Sequence, residues 1–197
     1  MQSDNRKIKK NRLAVRDMTL IALFTVLAII GGKISIPVFT IPVTLQFQVC
    51  LLSGLLLGAR RAMLAQGLYL LLGLIGLPVF AMGGGPAYLL QPSFGYLPGM
   101  MLCAGLVGWL SARGPGTTSL LRRLVVNLAG LVIVYVCGIS WLLLIRNVYS
   151  GESMLLLRAL QIGLLPFLLT DSLHALLAAM ITPSLRRAIR PLRSVSA

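Results

Sequence analysis

The 197-residue chain is 57% apolar and only 11% charged, with a mean hydropathy of +0.91. A soluble domain carries about a quarter charged residues, so an aqueous globular fold is excluded and one integral membrane domain is indicated. Eighteen Lys and Arg against four Asp and Glu give a formal charge of +14, but they gather at chain ends and segment boundaries, which argues against nucleic-acid binding and for a membrane topology signal.

In chain order, a basic tail (residues 1–17) leads into a membrane domain (residues 18–184), and a second basic tail (residues 185–197) closes the chain. The tails read as topology determinants resting on anionic headgroups. No cleavable signal peptide is expected, because the first apolar run meets Gly31, Gly32 and Lys33 instead of a small-residue cleavage site. Six apolar segments cover residues 18–36, 43–59, 62–77, 94–110, 124–145 and 159–182. Each is read as a membrane-spanning helix, and together they predict an all-α, six-helix membrane bundle. The second and third are short and carry Gly54, Gly58, Gly67 and Gly73; Arg60 and Arg61 mark a hairpin turn between them. Small residues in the first segment (Ala22, Thr25, Ala28) allow close helix approach.

With six spans and both termini inside, fifteen of the eighteen basic residues fall on the cytoplasmic side: Arg6, Lys7, Lys9, Lys10, Arg12, Arg16, Arg60, Arg61, Arg113, Arg122, Arg123, Arg186, Arg187, Arg190 and Arg193. Lys33, Arg146 and Arg158 remain outside. This bias predicts an N-in, C-in topology.

Residues 78–101 hold five glycines, four prolines and no charge. Such a stretch cannot form one helix, yet it is too apolar and aromatic for an idle solvent loop. It is expected to fold back as a lid or to line a cavity. Within the segments, Asp171 is the one deeply placed acid. A carboxylate at mid-bilayer costs roughly 2.5–3.5 kcal/mol on insertion scales, so it should face the bundle interior. His174 follows on the same helix face, and Thr170 and Gln161 extend a polar stripe toward a cavity. The stripe reads either as a ligand site or as a structural pair joining two helices. In the first hairpin, Pro37 and Pro42 block helix until Val43, and Thr44 and Gln46 either meet a ligand or serve the start of the second helix. Cys50, Cys103 and Cys137 sit in apolar runs without a CxxC and read as packing residues; with a single histidine, no metal site is expected.

These pieces together resemble the BioY family, the biotin-specific substrate-binding (S) components of energy-coupling factor (ECF) transporters. The most specific part is PVFAMGGGPAYLLQPSFGYL over residues 78–97, where family members read PVFAGG, a glycine run and YLLGPTGGYL. Around it stand IPVTLQ (residues 41–46), LLLG (residues 55–58), Tyr135 with Gly138 and Trp141, and Leu165-Pro166-Phe167 with Asp171. The resemblance implies a six-helix S-component fold in a prokaryotic cytoplasmic membrane, with biotin captured on the outer side. It also implies partners: a transmembrane coupling subunit and two ABC-type ATPases, since this chain lacks a P-loop. No cofactor and no catalysis are expected. Biotin's ureido ring suits Asp171, Thr44 and Gln46, its bicycle suits Phe80, Tyr88, Tyr96, Tyr135 and Trp141, and the backbone of Gly83, Gly84 and Gly85 allows close approach.

The chain departs from the family pattern in several places. Thr170 and His174 replace a Gly and a Lys around Asp171, and Gln91 and Phe94 replace glycines in the lid. If His174 meets biotin's carboxylate, affinity should fall as it loses its proton. Ala22 and Val26 stand where S components often carry two alanines on the face that docks the coupling subunit. Two rivals remain: an S component for another vitamin, and an intramembrane enzyme using Asp171 and His174.

Overall fold

A computed structural model describes residues 15–38, 41–113 and 119–189. Among these, seven α-helices enclose the core, and a two-stranded hairpin and a compact loop cover one end. The outlying tail cations from Arg6 to Arg12, and Arg190 and Arg193, lie outside the described residues.

Helix α1 (Val15–Lys33) begins three residues before the expected boundary, taking Arg16 and Asp17 into its first turn. Thr25 and Ala28 are buried as expected for close packing, and the Thr25 hydroxyl donates to the Ala65 carbonyl of the third helix at 3.0 Å. Ala22 and Val26 face outward. The chain then turns through an antiparallel hairpin, β1 (Ser35–Val38) and β2 (Ile41–Thr44), with Ser35 opposite Thr44. Helix α2 (Gln46–Leu57) starts three residues later than the sequence suggests, and Thr44 does not cap it. Gly58 makes the turn into α3 (Ala59–Leu74) at φ +82°, so Arg60 and Arg61 lie in the first turn of α3 and not in the connection itself. Positive φ is a conformation glycine adopts without strain.

Helix α4 (Tyr96–Ala112) packs against α2, where Cys50 Sγ donates to the Met100 carbonyl at 3.0 Å. It packs as closely on α5 (Leu120–Leu144), because Gly99 and Gly130 bring the two backbones together. A single π-helical turn (Ile145–Tyr149) ends α5.

The last apolar segment is not one helix. It divides into α6 (Leu156–Gly163) and α7 (Leu165–Ile189), broken at Leu164. Pro166 has no N–H to continue the ladder, and it sits in the first turn of α7, where that loss costs nothing. The break also disposes of the expected polar stripe, since Gln161 is exposed on α6 while Asp171 and His174 belong to α7. Helix α7 runs on past the expected end at Thr182, with Pro183 inside it. Pro183 leaves the Ala179 carbonyl without its helical donor, and Arg123 Nε of α5 supplies one at 2.7 Å. Asn127 Nδ2 makes a second such tie to the Ala175 carbonyl at 2.8 Å.

Helices α1, α5 with its π turn, and α7 are long and apolar enough to cross a membrane. The starts of α1 and α3 and the ends of α2, α4 and α7 meet at one end of the bundle. The hairpin and the loop between α3 and α4 cover the other.

Candidate functional site

The loop between α3 and α4 is a lid with its own small core. The backbones of Phe80 and Gly83 exchange hydrogen bonds of 2.9 and 3.2 Å, closing a tight turn. This drives the Phe80 ring, fully buried, between Tyr69 (centroids 5.3 Å) and Tyr88 (4.5 Å). The ring rests on Gly73, where any Cβ would overlap it, and Gly84 fits as closely against the Leu77 carbonyl. Gly85 N–H donates to the Gly73 carbonyl at 2.7 Å, and a short 3₁₀ helix (Pro86–Leu90) follows. From α5, Trp141 Nε1 donates to the Leu89 carbonyl at 3.2 Å and packs on Phe94 at 5.5 Å. From α1, Lys33 Nζ donates to the Phe80 carbonyl at 2.9 Å.

Beneath the lid lies a cavity of about 40 Å³, lined by Thr44, Gln46, Tyr88, Ser93 and Tyr96 with Ile41. Two buried polar atoms on its wall, Gln46 Nε2 and Ser93 Oγ, have no hydrogen-bond partner among the described residues. Tyr69 donates to Gln46 Oε1 at 3.2 Å and fixes that amide in place. Burial pushes the Tyr88 hydroxyl above the usual phenol range, partly offset by the Met82 backbone and by Ser93 Oγ, which lies nearby but outside hydrogen-bond geometry, so Tyr88 stays a neutral hydrogen-bond donor.

A second polar group adjoins the first through Tyr96. The Tyr135 hydroxyl donates to Asp171 Oδ2 at 2.8 Å, between α5 and α7. His174 Nδ1 stands 3.8 Å from Asp171 Oδ1, buried against Phe47 and without a hydrogen-bond partner. Asp171 lies close enough to Tyr96 to interact with it electrostatically, while the Tyr96 hydroxyl donates to the Gly163 carbonyl at 2.8 Å. An ionised carboxylate accepts several hydrogen bonds, so Asp171 keeps capacity for donors beyond Tyr135.

The sequence-predicted residues therefore separate into groups. Thr44, Gln46, Tyr88 and Tyr96 line the cavity; Tyr135, Asp171 and His174 form the adjoining cluster. Phe80, Gly83, Gly84, Gly85 and Trp141 build and pin the lid. Thr170 turns its hydroxyl back to the Phe167 carbonyl at 2.9 Å. Sequence reasoning missed Ser93 and Lys33. Lys33 counted only as a charge on the outer side, and its position at the end of the first apolar segment, ahead of the hairpin that leads to Thr44 and Gln46, was the available signal. Gly32 touches the same amide, a Cβ there falling 3.2 Å from Gln46 Oε1. Among the described residues, no group of three or more His, Cys, Asp and Glu could hold a metal ion.

The profile of the BioY family matches residues 4–191. The chain is 34% identical over 178 residues to a probable biotin transporter BioY of Lysinibacillus sphaericus, covering 90% of each. It is 34% identical over 174 residues to the biotin transporter BioY of Thermotoga maritima, covering 88% of this chain and 97% of that one. The crystal structure of the S-component for biotin from an ECF-type ABC transporter superposes with a TM-score of 0.76 at 32% identity, covering 93% of both chains.

Proposed function

The chain belongs to the BioY family, and from that premise and the lid geometry we propose that it captures biotin at the outer face of a prokaryotic cytoplasmic membrane. It acts as the substrate-binding subunit of an ECF transporter and is not an enzyme. The observation that carries this reading is the pair of partnerless atoms, Gln46 Nε2 and Ser93 Oγ, in a lid cavity that adjoins Asp171 through Tyr96. Buried polar atoms without partners are costly, and a ureido-bearing ligand supplies what they lack.

In this reading Asp171 accepts from a ureido N–H, with Tyr135 and His174 beside it, and Gln46 Nε2 and Ser93 Oγ donate to the ureido carbonyl. Tyr88 and Thr44 line the path of the thioether ring and the acyl chain. His174 is 3.8 Å from Asp171, so both serve the same end of the ligand. Biotin carries its carboxylate at the opposite end, and we assign that group to Lys33, the cation at the end of α1 that meets the lid at the Phe80 carbonyl. Arg146 is already paired with Glu152 at 2.8 Å. The six-span, N-in and C-in topology is part of the same proposal, supported by the gathering of Arg16, Arg61, Arg186 and Arg187 at the end remote from the lid. Docking of a coupling subunit, which works with two ATPases, is assigned to the outward face of α1 at Ala22 and Val26.

The test is to purify the full chain from membranes, release the bound ligand and identify it by mass spectrometry. Biotin recovered unchanged, displaced by added biotin and not by thiamin or riboflavin, is the expected result. Recovery of a different vitamin would move the protein to another S-component specificity, and a chemically altered ligand would revive the enzyme reading.

A further inference from the structure

The end of the bundle remote from the lid holds a larger recess than the lid does, with a volume of about 520 Å³. Four guanidinium-bearing residues border it: Arg16 of α1, Arg61 of α3, and Arg186 and Arg187 of α7. Asp17 is paired with Arg61 at 2.9 Å. The other described acids, Glu152 and Asp171, belong to the lid half of the molecule. The flanking sequence brings little relief, since residues 1–14 hold five basic residues against Asp4. Arg16 and Arg187 therefore carry charge that no described acid neutralises.

Two further features define what fits. Arg16 Nε and Ser111 Oγ border the recess, are buried and lack a hydrogen-bond partner. Arg186 is steadied by donating to the Leu55 carbonyl at 2.7 Å, which presents its guanidinium in a fixed position. The rest of the lining is largely apolar, with Leu20, Leu55, Leu56 and Leu57. Arginines beside an apolar wall, at the end of membrane-length helices, match an amphiphile whose anionic head carries acceptor oxygens.

We propose that this recess binds the phosphodiester headgroup of an anionic phospholipid, with the first part of an acyl chain lying against the leucine wall. Arg16, Arg187 and Ser111 meet the phosphate, while Arg61 and Arg186 stay on their own tethers. The proposal rests on this end of the bundle alone and is independent of what the lid binds.

The test is native mass spectrometry of the full chain in detergent, titrated with dioleoyl phosphatidylglycerol or with dioleoyl phosphatidylcholine. The glycerol lipid should bind at least about tenfold tighter, and Arg16→Gln and Arg187→Gln should each weaken it about fivefold, the effect of one surface cation on an anionic headgroup. The double Arg→Lys variant should keep most of the preference, and all variants should retain ligand at the lid. Equal binding of the two lipids, or an unchanged preference in the double Arg→Gln variant, overturns the proposal. So does displacement of the lipid by equimolar inorganic phosphate, which would make the ligand a soluble anion. Displacement by the purified coupling subunit would make the recess a protein-docking surface and equally overturns it.

Discussion

Replacing Lys33 by Met tests the assignment of the ligand's carboxylate. In the structure, Lys33 Nζ donates to the Phe80 carbonyl at 2.9 Å, so binding a carboxylate exchanges a neutral acceptor for a charged one. A hydrogen bond to a charged group contributes about 1.5–3 kcal/mol and a neutral one about 1 kcal/mol. Lys33 is also largely exposed, so solvent and salt reduce the gain. The net effect expected of Lys33→Met is about 1–2 kcal/mol, or roughly five- to thirtyfold in Kd. Met keeps the length and apolar stem, so packing changes little. Isothermal titration should be run with biotin and with biotinamide, which has the same rings and chain but no negative charge. The wild type should prefer biotin by about that factor, Lys33→Met should bind both alike, and Lys33→Arg should restore most of the preference. If Lys33→Met weakens both ligands equally, Lys33 merely latches the lid, and the assignment fails.

Two further substitutions probe the remaining parts of the site. Asp171→Asn preserves an acceptor for the Tyr135 hydroxyl but removes the charge, and should raise the Kd for biotin about 10–100-fold in the same titration; an unchanged Kd would make Asp171 a purely structural tie between α5 and α7. Gly84→Ala introduces a Cβ that overlaps the Leu77 carbonyl, so the lid cannot close as built. Release of bound biotin, followed by rapid dilution, should then speed up roughly five- to 150-fold, by loss of packing worth about 1–3 kcal/mol, while gel-filtration behaviour stays that of the wild type. Wild-type release kinetics would show that the lid turn plays no part in retention.

Much of this molecule is legible in the sequence because membrane interiors punish local irregularity. The first five apolar segments stand within a few residues of the helices, and the glycines and prolines of residues 78–101 announce a folded lid. Asp171 could be singled out because a lone carboxylate among apolar residues has few places to go. The errors arise where distant residues decide. Pro183 reads as a helix end, yet α7 passes through it because Arg123, from a different helix, takes up the freed Ala179 carbonyl. Leu164 looks like any leucine in an apolar run, and only the following Pro166 hints that α6 and α7 part there. Phe80 reads as a wall for a ligand, but the turn closed by Gly83 buries it inside the lid. Lys33 and the arginine recess appear only when ends of several helices are brought together, which no single window of sequence contains.

The small size of the lid cavity fixes how the site must work. Pockets that hold vitamin-sized ligands measure about 300 Å³ or more, against about 40 Å³ here, so the bicycle enters only if the lid moves away from β2 and α4. The lid's own core of Phe80, Tyr69 and Tyr88 is tied to α3 through Gly73 and Gly85, and separating it would expose fully buried rings. Its polar ties to the flanking helices are a hydrogen bond from Lys33 on α1 and one from Trp141 with its ring contact on α5, beside apolar packing on Ala28, Ile29 and Val49. Opening that leaves the packing over α3 in place therefore breaks those two hydrogen bonds and part of that apolar packing. Trp141 meets the lid by polar and ring contacts that can be remade after a small shift. Lys33 is different: on the proposed assignment, the ligand's carboxylate competes with the Phe80 carbonyl for the same ammonium group. An anionic ligand would then loosen the lid by the contact that binds it, whereas a neutral analogue must displace the lid unaided.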